Sequence, residues 1–264
     1  MKQNNNILIL PPRYTEDSIS LWKEASQNGW YVERLQRWIT PDWISQNPQQ
    51  VTIYGEPLFA AVIADQIGIS LIEPPLNWVS LLPYEYTKRK IHFTNFESAR
   101  TIEDNCFFKP ADDKAFEAKV YKSGQELPDN VDPNIPVLIS EVVEWKVEFR
   151  AFILEKKVIT ISPYWREGKL AKDENGLWPY QNDEEQRAKS FCEKVLKDKK
   201  VHIPPAVVMD VGLFTNGEWA VVEANPCWGS GIYGCHPLDV LKVLQRACLY
   251  TPSEDDTNWI LKRE

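Results

Sequence analysis

Hydrophobic and polar positions along this 264-residue chain fall into two regimes. The first ninety or so residues read as a small α/β unit. An apolar strand is predicted over 7–10, a helix from about Glu16, a strand over 51–54 and a helix from Pro57 to about Gln66. Pro57 suits a first helical position and Gly68 a stop. Pro74-Pro75 and Pro83 then mark an extended connection. From about Ile91 strands dominate: 106–109, 137–143 and 147–154, the last turning at Lys156-Lys157 into 158–163. In the third of these, Val147, Phe149, Ala151 and Ile153 share one face while Glu148 and Arg150 share the other. The period lengthens to 3.6 over 183–197, where Ala188, Phe191, Cys192, Val195 and Leu196 form one stripe. Asn182 is the expected cap, with Glu185 three positions into the helix. A last helix is expected from Leu238 to about Leu249, with Leu238, Leu241, Leu244 and Cys248 as its stripe.

The sharpest local signal is the stretch AVVMDVGLFTNGEWAVVEANP, residues 206–226. Asn216-Gly217 between two apolar runs predicts a hairpin with a two-residue type I′ turn. That register sets Thr215 against Glu218 and Asp210 against Glu223, with Asn225 on the same side as Glu223. Like charges directly opposite are destabilising, so two acids and an amide converging among Val, Met and Ala suggest a hard cation. Oxygen ligands of this kind suit Mg²⁺ held jointly with a phosphate. The alternative is an ordinary half-exposed sheet, in which the acids face solvent.

Composition narrows the function classes. A net charge of −8 argues against a general nucleic-acid-binding surface. Five cysteines without paired spacing indicate neither a zinc site nor a disulfide framework. No apolar run approaches the length of a membrane span and nothing resembles a signal peptide, so the cytoplasm is the expected compartment. The first ninety residues contain no glycine-rich phosphate loop. Eleven tryptophans are many for this length, and they serve cores more often than binding surfaces.

Other polar features sit beside apolar strands. Lys109 ends the Phe107-Phe108 strand, placed either to reach a phosphate or as a surface lysine before Pro110. Glu148 and Arg150 are placed to hold a ribose and a phosphate, or to form a solvated strand face. Their order, FFKP, SEVVEWKVEFRAF, VVMDVGL and VVEANP, resembles the ATP-grasp superfamily over roughly residues 86–250. The spacing is most similar to the clade named for two arginines and a lysine, proposed as amide- or peptide-forming ligases.

That resemblance implies an α+β, two-lobed nucleotide-binding fold, with an N-terminal α/β domain over 1–88 and the ATP-grasp domain over 89–264. It implies that Lys109 contacts the α- and β-phosphates, and that the backbone of Glu141, Val142 and Val143 meets the adenine edge. Glu148 would take the ribose hydroxyls, while Arg150 and Arg166 stabilise the transferring γ-phosphoryl group. Asp210, Glu223 and Asn225 would hold Mg²⁺. Lys114, in ADDKAF, would lie in a loop closing over the nucleotide, although that segment is not glycine-rich. Arg89 would be another phosphate or substrate contact, and Tyr233 and His236 would border the acceptor pocket. The implied reaction is ATP- and Mg²⁺-dependent joining of a carboxylate to an amine through an acylphosphate, releasing ADP and phosphate. Phosphoryl transfer to a hydroxyl and a non-catalytic nucleotide-binding module remain as alternatives. The substrates would be small molecules, peptides or proteins; the acid, the amine and the oligomeric state stay open.

Overall fold

The computed structural model of the chain describes residues 6–111 and 114–260. It is an α+β structure built on three main sheets. The N-terminal sheet is parallel, in the order β2-β1-β3, from β1 (Ile7–Leu10), β2 (Tyr31–Arg34) and β3 (Val51–Ile53). Helix α1 (Glu16–Gln27) starts from a reciprocal cap, in which the Thr15 hydroxyl accepts the Ser18 N–H and the Ser18 hydroxyl accepts the Thr15 N–H. Helix α2 (Asp42–Ser45) is a single turn. Helix α3 (Pro57–Ile67) begins on Pro57 and ends on Gly68 at φ 74°, as the punctuation predicted. A two-residue strand β4 (Ser70–Leu71) follows.

The connection after β4 is not a free linker. It carries the short helix α4 (Tyr84–Thr87) and packs on the larger lobe. Trp78 Nε1 donates to the His202 carbonyl at 2.6 Å, and the Tyr86 hydroxyl donates to Asp198 at 2.9 Å.

The small lobe is an antiparallel sheet, β5-β8-β6-β7, made of β5 (Ile91–Asn95), β6 (Cys106–Pro110), β7 (Lys119–Tyr121) and β8 (Pro136–Ser140), with the one-turn helix α5 (Phe96–Ala99) on it. Its core of Phe96, Ala99, Phe108, Phe116, Tyr121, Leu127, Val137 and Ile139 is its own. The strand expected over 137–143 stops at Ser140, because Glu141 to Glu144 form the crossing to the larger lobe.

That lobe is an antiparallel five-stranded sheet, β11-β10-β9-β12-β13. Its strands are β9 (Trp145–Leu154), β10 (Lys157–Arg166), β11 (Lys169–Leu170), β12 (Ala206–Phe214) and β13 (Trp219–Asn225). Val147, Phe149, Ala151 and Ile153 of β9 join Val207, Met209 and Val211 of β12 under helix α6 (Glu184–Lys197). The helix starts on Asp183 rather than Asn182, which sits at φ 50°. The carboxylate of Glu184, and not a side chain ahead of the helix, accepts the Gln181 N–H.

The opposite face of the sheet is divided along its length. Its apolar end, Phe152 and Val208, is covered by helix α7 (Pro237–Ala247) and by the N-terminal unit, in a core that also contains Leu8, Leu10, Phe59, Trp228 and Leu241. The last short strand, β14 (Cys248–Leu249), pairs with β4 and ties the C-terminal segment to the N-terminal unit. The core is thus continuous across the boundary expected near residue 88. The polar end of the same face stays open and carries the candidate site. Among the described residues, no helix is long and apolar enough to cross a membrane.

Glycine at 212 lets the first residue of the larger lobe lie flat on its sheet. A Cβ there would stand 2.6 Å from Trp145 Cζ3, and Trp145 packs on Phe214 with ring centroids 4.3 Å apart. Gly212→Ala is expected to cost about 1–3 kcal/mol through overpacking and to tilt the indole. Urea denaturation and the change in tryptophan fluorescence measure the two effects.

Candidate active site

The hairpin of β12 and β13 pairs Asp210 with Glu223, as the sequence predicted, but by a different route. The turn is not a two-residue type I′ loop. Phe214 N–H donates to the Glu218 carbonyl at 2.9 Å, Gly217 N–H donates to the Phe214 carbonyl at 3.0 Å, and Gly217 takes φ 89°. That is a three-residue loop with glycine at its left-handed position. The resulting register sets Leu213 against Trp219 and Val211 against Val221. A β-bulge between Asp210 and Val211 on one strand, with Val222 as the extra residue on the other, then moves the pairing by one and restores Asp210 opposite Glu223.

Arg89 holds the bulge. Its Nη1 donates to the carbonyls of Thr87 at 3.0 Å and Val221 at 2.8 Å, and its Nη2 donates to that of Val222 at 3.0 Å. The guanidinium is 7% exposed and lies 5.2 Å from the Trp145 ring centroid. Burial pulls it down to about 10, against the charges of Glu148 and Glu223. Both terminal nitrogens therefore meet backbone, while the residue, expected as a phosphate or substrate contact, also borders the cavity described below.

Around the bulge, acids and bases pair across elements. Asp210, fully buried, receives Arg150 in a two-pronged pair, Nε to Oδ1 at 2.9 Å and Nη2 to Oδ2 at 2.7 Å. Arg150 Nη1 donates to the Gly231 carbonyl at 3.1 Å. Its guanidinium lies 4.9 Å from the Tyr233 ring and 5.3 Å from the Tyr164 ring, beside the pair these two rings form by stacking on each other with centroids 5.1 Å apart. Burial opposes the charge of Arg150, but Asp210 overrides it and raises its pKa. Lys109, on the small lobe, forms an ion pair with Glu223. Burial would raise Glu223, yet Lys109 dominates and brings it down to about 2. Asn225 Nδ2 donates to Glu223 Oε1 at 2.8 Å and lies 3.4 Å from Asp210 Oδ2, so the three residues meet on one face.

Lys109, Glu223 and Tyr164 of this group border a cavity of about 520 Å³ between the lobes. Val79, Ile91, Phe107 and Leu138 give it apolar walls, and Arg89, Lys109, Glu148, Tyr164 and Glu223 give it a polar end. Glu148 accepts the Tyr164 hydroxyl. Burial lifts its carboxyl to about 7, against that hydrogen bond and with Asp210 and Glu223 adding repulsion. Val142 and Val143 line the crossing side of the cavity. Glu141 lines it too, but its N–H donates to the Lys90 carbonyl at 3.1 Å and its carboxylate accepts the Lys90 N–H at 2.8 Å. Of the three expected adenine contacts, Glu141 therefore has its N–H already committed.

Two expected residues stand elsewhere. Arg166 is paired with Val147, on the helix-covered face of the sheet, and makes a two-pronged pair with Glu184 at 2.9 and 2.7 Å. It is separated by the sheet from Arg150, which corrects its assignment to the transferring group. His236 precedes α7, with its side chain 61% exposed and Nδ1 3.6 Å from Asp239 Oδ2. Its backbone N–H donates to the Thr160 hydroxyl at 2.9 Å, and its ring is not brought to the cavity. Tyr233, by contrast, is at the site. Lys114 is exposed, and Asp112 and Asp113 of its segment lie outside the described residues. Tyr164 was not foreseen, because it faces Glu148 only through the bulge that separates Pro163 from Trp165 in β10.

Asp210 and Glu223 bring hard carboxylate oxygens to one face, and Asn225 stands beside them with its amide nitrogen toward both, a set whose oxygens fit Mg²⁺. Among the described residues, no cluster of three or more His, Cys, Asp or Glu side chains could hold a metal, so the set is two acids and an amide.

Two outcomes follow. Arg89→Met leaves the buried Val221 and Val222 carbonyls unmet and is expected to cost about 2–3 kcal/mol in chemical denaturation. Glu148 keeps a proton in the folded chain that the unfolded chain releases above its ordinary value of 4.5. Its contribution to stability is therefore lost as pH rises from 4.5 through about 7. Thermal melts from pH 5 to 8 are expected to show the wild type losing stability relative to Glu148→Gln.

A family model described as an ATP-grasp domain, R2K clade family 2, matches residues 86–243. No curated protein matches the sequence. Among solved structures, N5-carboxyaminoimidazole synthetase from Staphylococcus aureus aligns with a TM-score of 0.58 at 12% identity, covering 94% of this chain and 79% of that one. The same enzyme complexed with ADP aligns with a TM-score of 0.50 at 10% identity, covering 94% and 78%. The ATP-grasp ligase PsnB complexed with a minimal precursor gives 0.49 at 15% identity, covering 91% and 99%. At such identities the likeness is one of fold. The family match spans more than half of the chain and contains the small lobe, the crossing and the bulged hairpin, so this chain belongs to the R2K clade of ATP-grasp domains, family 2.

Proposed function

We propose that the protein is a cytoplasmic, ATP- and Mg²⁺-dependent ligase that joins a carboxylate to an amine through an acylphosphate. The observation that supports this most is the convergence of Lys109, Arg150, Asp210, Glu223 and Asn225 beside an apolar cavity between two lobes, whose polar end Lys109 and Glu223 line. The apolar walls suit a purine, and Glu148 suits the ribose hydroxyls. Lys109 would turn from Glu223 to a phosphate. Arg150, fixed by Asp210 and two tyrosine rings, would face the transferring group in one orientation. Mg²⁺, held by Asp210, Glu223 and Asn225, would neutralise charge on the β- and γ-phosphates.

A carboxylate is a poor electrophile because its oxygen leaves only as oxide. Phosphorylation by ATP converts that oxygen into part of a phosphate leaving group and releases ADP. Attack by a neutral amine then forms the C–N bond, breaks the C–O bond to phosphate and releases the amine's proton. The residues of this chain contribute placement, charge and exclusion of water rather than a covalent nucleophile.

The expected nucleotide product is ADP, appearing with an acid and an amine and abolished in Asp210→Asn. Chromatography of nucleotides, with hydroxylamine added to trap an acylphosphate as a hydroxamate, tests this. A stable phosphate ester without hydroxamate would indicate transfer to a hydroxyl, AMP would reject the mechanism, and tight ATP binding without turnover would favour a binding module. The Lys109–Glu223 pair adds a specific expectation: Lys109→Met should bind Mn²⁺ alone more tightly than the wild type, because Glu223 is released. The same variant should lose nucleotide affinity by roughly tenfold or more. Paramagnetic titration and calorimetry read the two effects.

A further inference from the structure

Side chains on a regular strand alternate between its two faces, and β13 breaks that rule. Trp219 and Val221, two positions apart, pack together in the core under α6. Glu223 and Asn225 continue the same spacing, yet they meet Lys109 and Asp210 on the opposite face. Ala224, of the other parity, packs against the α6 core in their place. The facing strand β12 shows no such change, since Met209, Val211 and Leu213 all lie in that core and Asp210 between them does not.

The switch of faces occurs at Val222, the extra residue of the bulge. In an unbulged ladder the pairing of Val211 with Val221 would continue to Asp210 with Val222 and Met209 with Glu223. Such a slip turns every later side chain over. Glu223 and Asn225 would then point into the apolar core, and the candidate site would receive Val222 and Ala224 instead.

Arg89 grips the strand at this point. Its guanidinium takes the carbonyls of Val221 and Val222 together, with a further bond to Thr87. A planar fork of donors fixes the spacing of two acceptors, which the single ammonium of a lysine does not. The arginine is placed in turn by the segment that enters the small lobe. The Thr87 hydroxyl donates to the Arg89 carbonyl at 2.9 Å, and Lys88, at φ 53°, pairs with Glu218 at 3.0 Å. Lys90 is bonded both ways to Glu141 of the return crossing.

We propose that Arg89 is the positioning residue of the candidate metal site: by fixing the bulge at Val222 it selects the face on which Glu223 and Asn225 emerge. In this role it acts through β13 and not by contact with a ligand. The identity of the metal rests on the ligase reading above, whereas the choice of face stands on the strand itself.

Deletion of Val222 separates this role from a general contribution of Arg89 to stability or charge. The shortened strand sets Glu223 opposite Asp210 in a regular ladder, with no bulge left to hold. The full chain, free of metal and nucleotide, is compared as wild type, Arg89→Met, the Val222 deletion and the two combined. Met209 is one of only two methionines, so methyl labelling of methionine and alanine isolates its contact with Ala224, directly opposite on the helix-covered face. The nuclear Overhauser effect between these methyls is expected in the wild type, lost in Arg89→Met and regained in the combined variant. Deletion should lower the melting temperature of the wild type, by stranding the guanidinium, and raise that of Arg89→Met. This reversal of sign is readable where Arg89→Met is too unstable for spectra. Mn²⁺ titrated with AMPPNP present should follow the same order, bound roughly tenfold or more weakly by Arg89→Met than by the wild type and the combined variant. Persistence of the methyl contact in Arg89→Met, its absence from the combined variant, or a deletion that lowers the melting temperature in both backgrounds would overturn the inference. The expected methyl pattern in a wild type that binds AMPPNP without Mn²⁺ would support the choice of face and overturn the metal reading instead.

Discussion

Two carboxylates lie opposite each other on adjacent strands of a sheet that is otherwise apolar, and the candidate site is organised around that repulsion. Asp210 is fully buried and Glu223 half-buried, and such a pair stays ionised only with cations beside it. The structure supplies one from each direction. Arg150 comes from the neighbouring strand of the same sheet, and Lys109 comes from the other lobe. Arg150 is then fixed by the stacked tyrosine pair beside it and by the Gly231 carbonyl, which draws the loop from Trp228 to Tyr233 inward. The loop in turn rests on Asp17 and Gly55 of the N-terminal unit. Removal of the acids would leave two cations and a strained loop with nothing to organise.

Much of this was legible in the sequence where the signal was local. The helix at 57–67 announced itself through Pro57 and Gly68, and the faces of β9 through strict alternation. Asp210 opposite Glu223 was also readable, although two departures cancelled: the turn holds one residue more than Asn216-Gly217 suggested, and the bulge at Val222 takes the register back. What could not be read depends on partners distant in sequence. The guanidinium of Arg89 meets carbonyls more than 130 positions away, and nothing near Lys88 or Lys90 indicates them. Arg166 carries the right charge near the right strand, but a β-bulge in β10 and the position of Glu184 put it on the wrong side of the sheet. Asp17 reads as an ordinary first-turn acid of a helix until the loop from residue 231 is seen against it.

The N-terminal unit illustrates the same limit for domains. Composition and proline placement suggest a boundary near residue 88, and the strand order of the first sheet is that of a self-contained α/β unit. Yet Trp228, Leu241 and Phe152 belong to the same buried cluster as Leu8 and Phe59. Periodicity reports which face of an element is apolar, whereas the identity of the covering element is a property of the whole fold.

The small lobe, by contrast, has a core of its own, and this gives Lys109 a particular position. It is carried by one lobe and clasped by an acid of the other. Movement of the small lobe would stretch that clasp, and under the proposed function a phosphate would claim the same lysine. Occupancy would then exchange one anion for another at the same lysine, leaving the number of bonds across the cleft nearly constant. Such a joint can change what it grips without first coming apart.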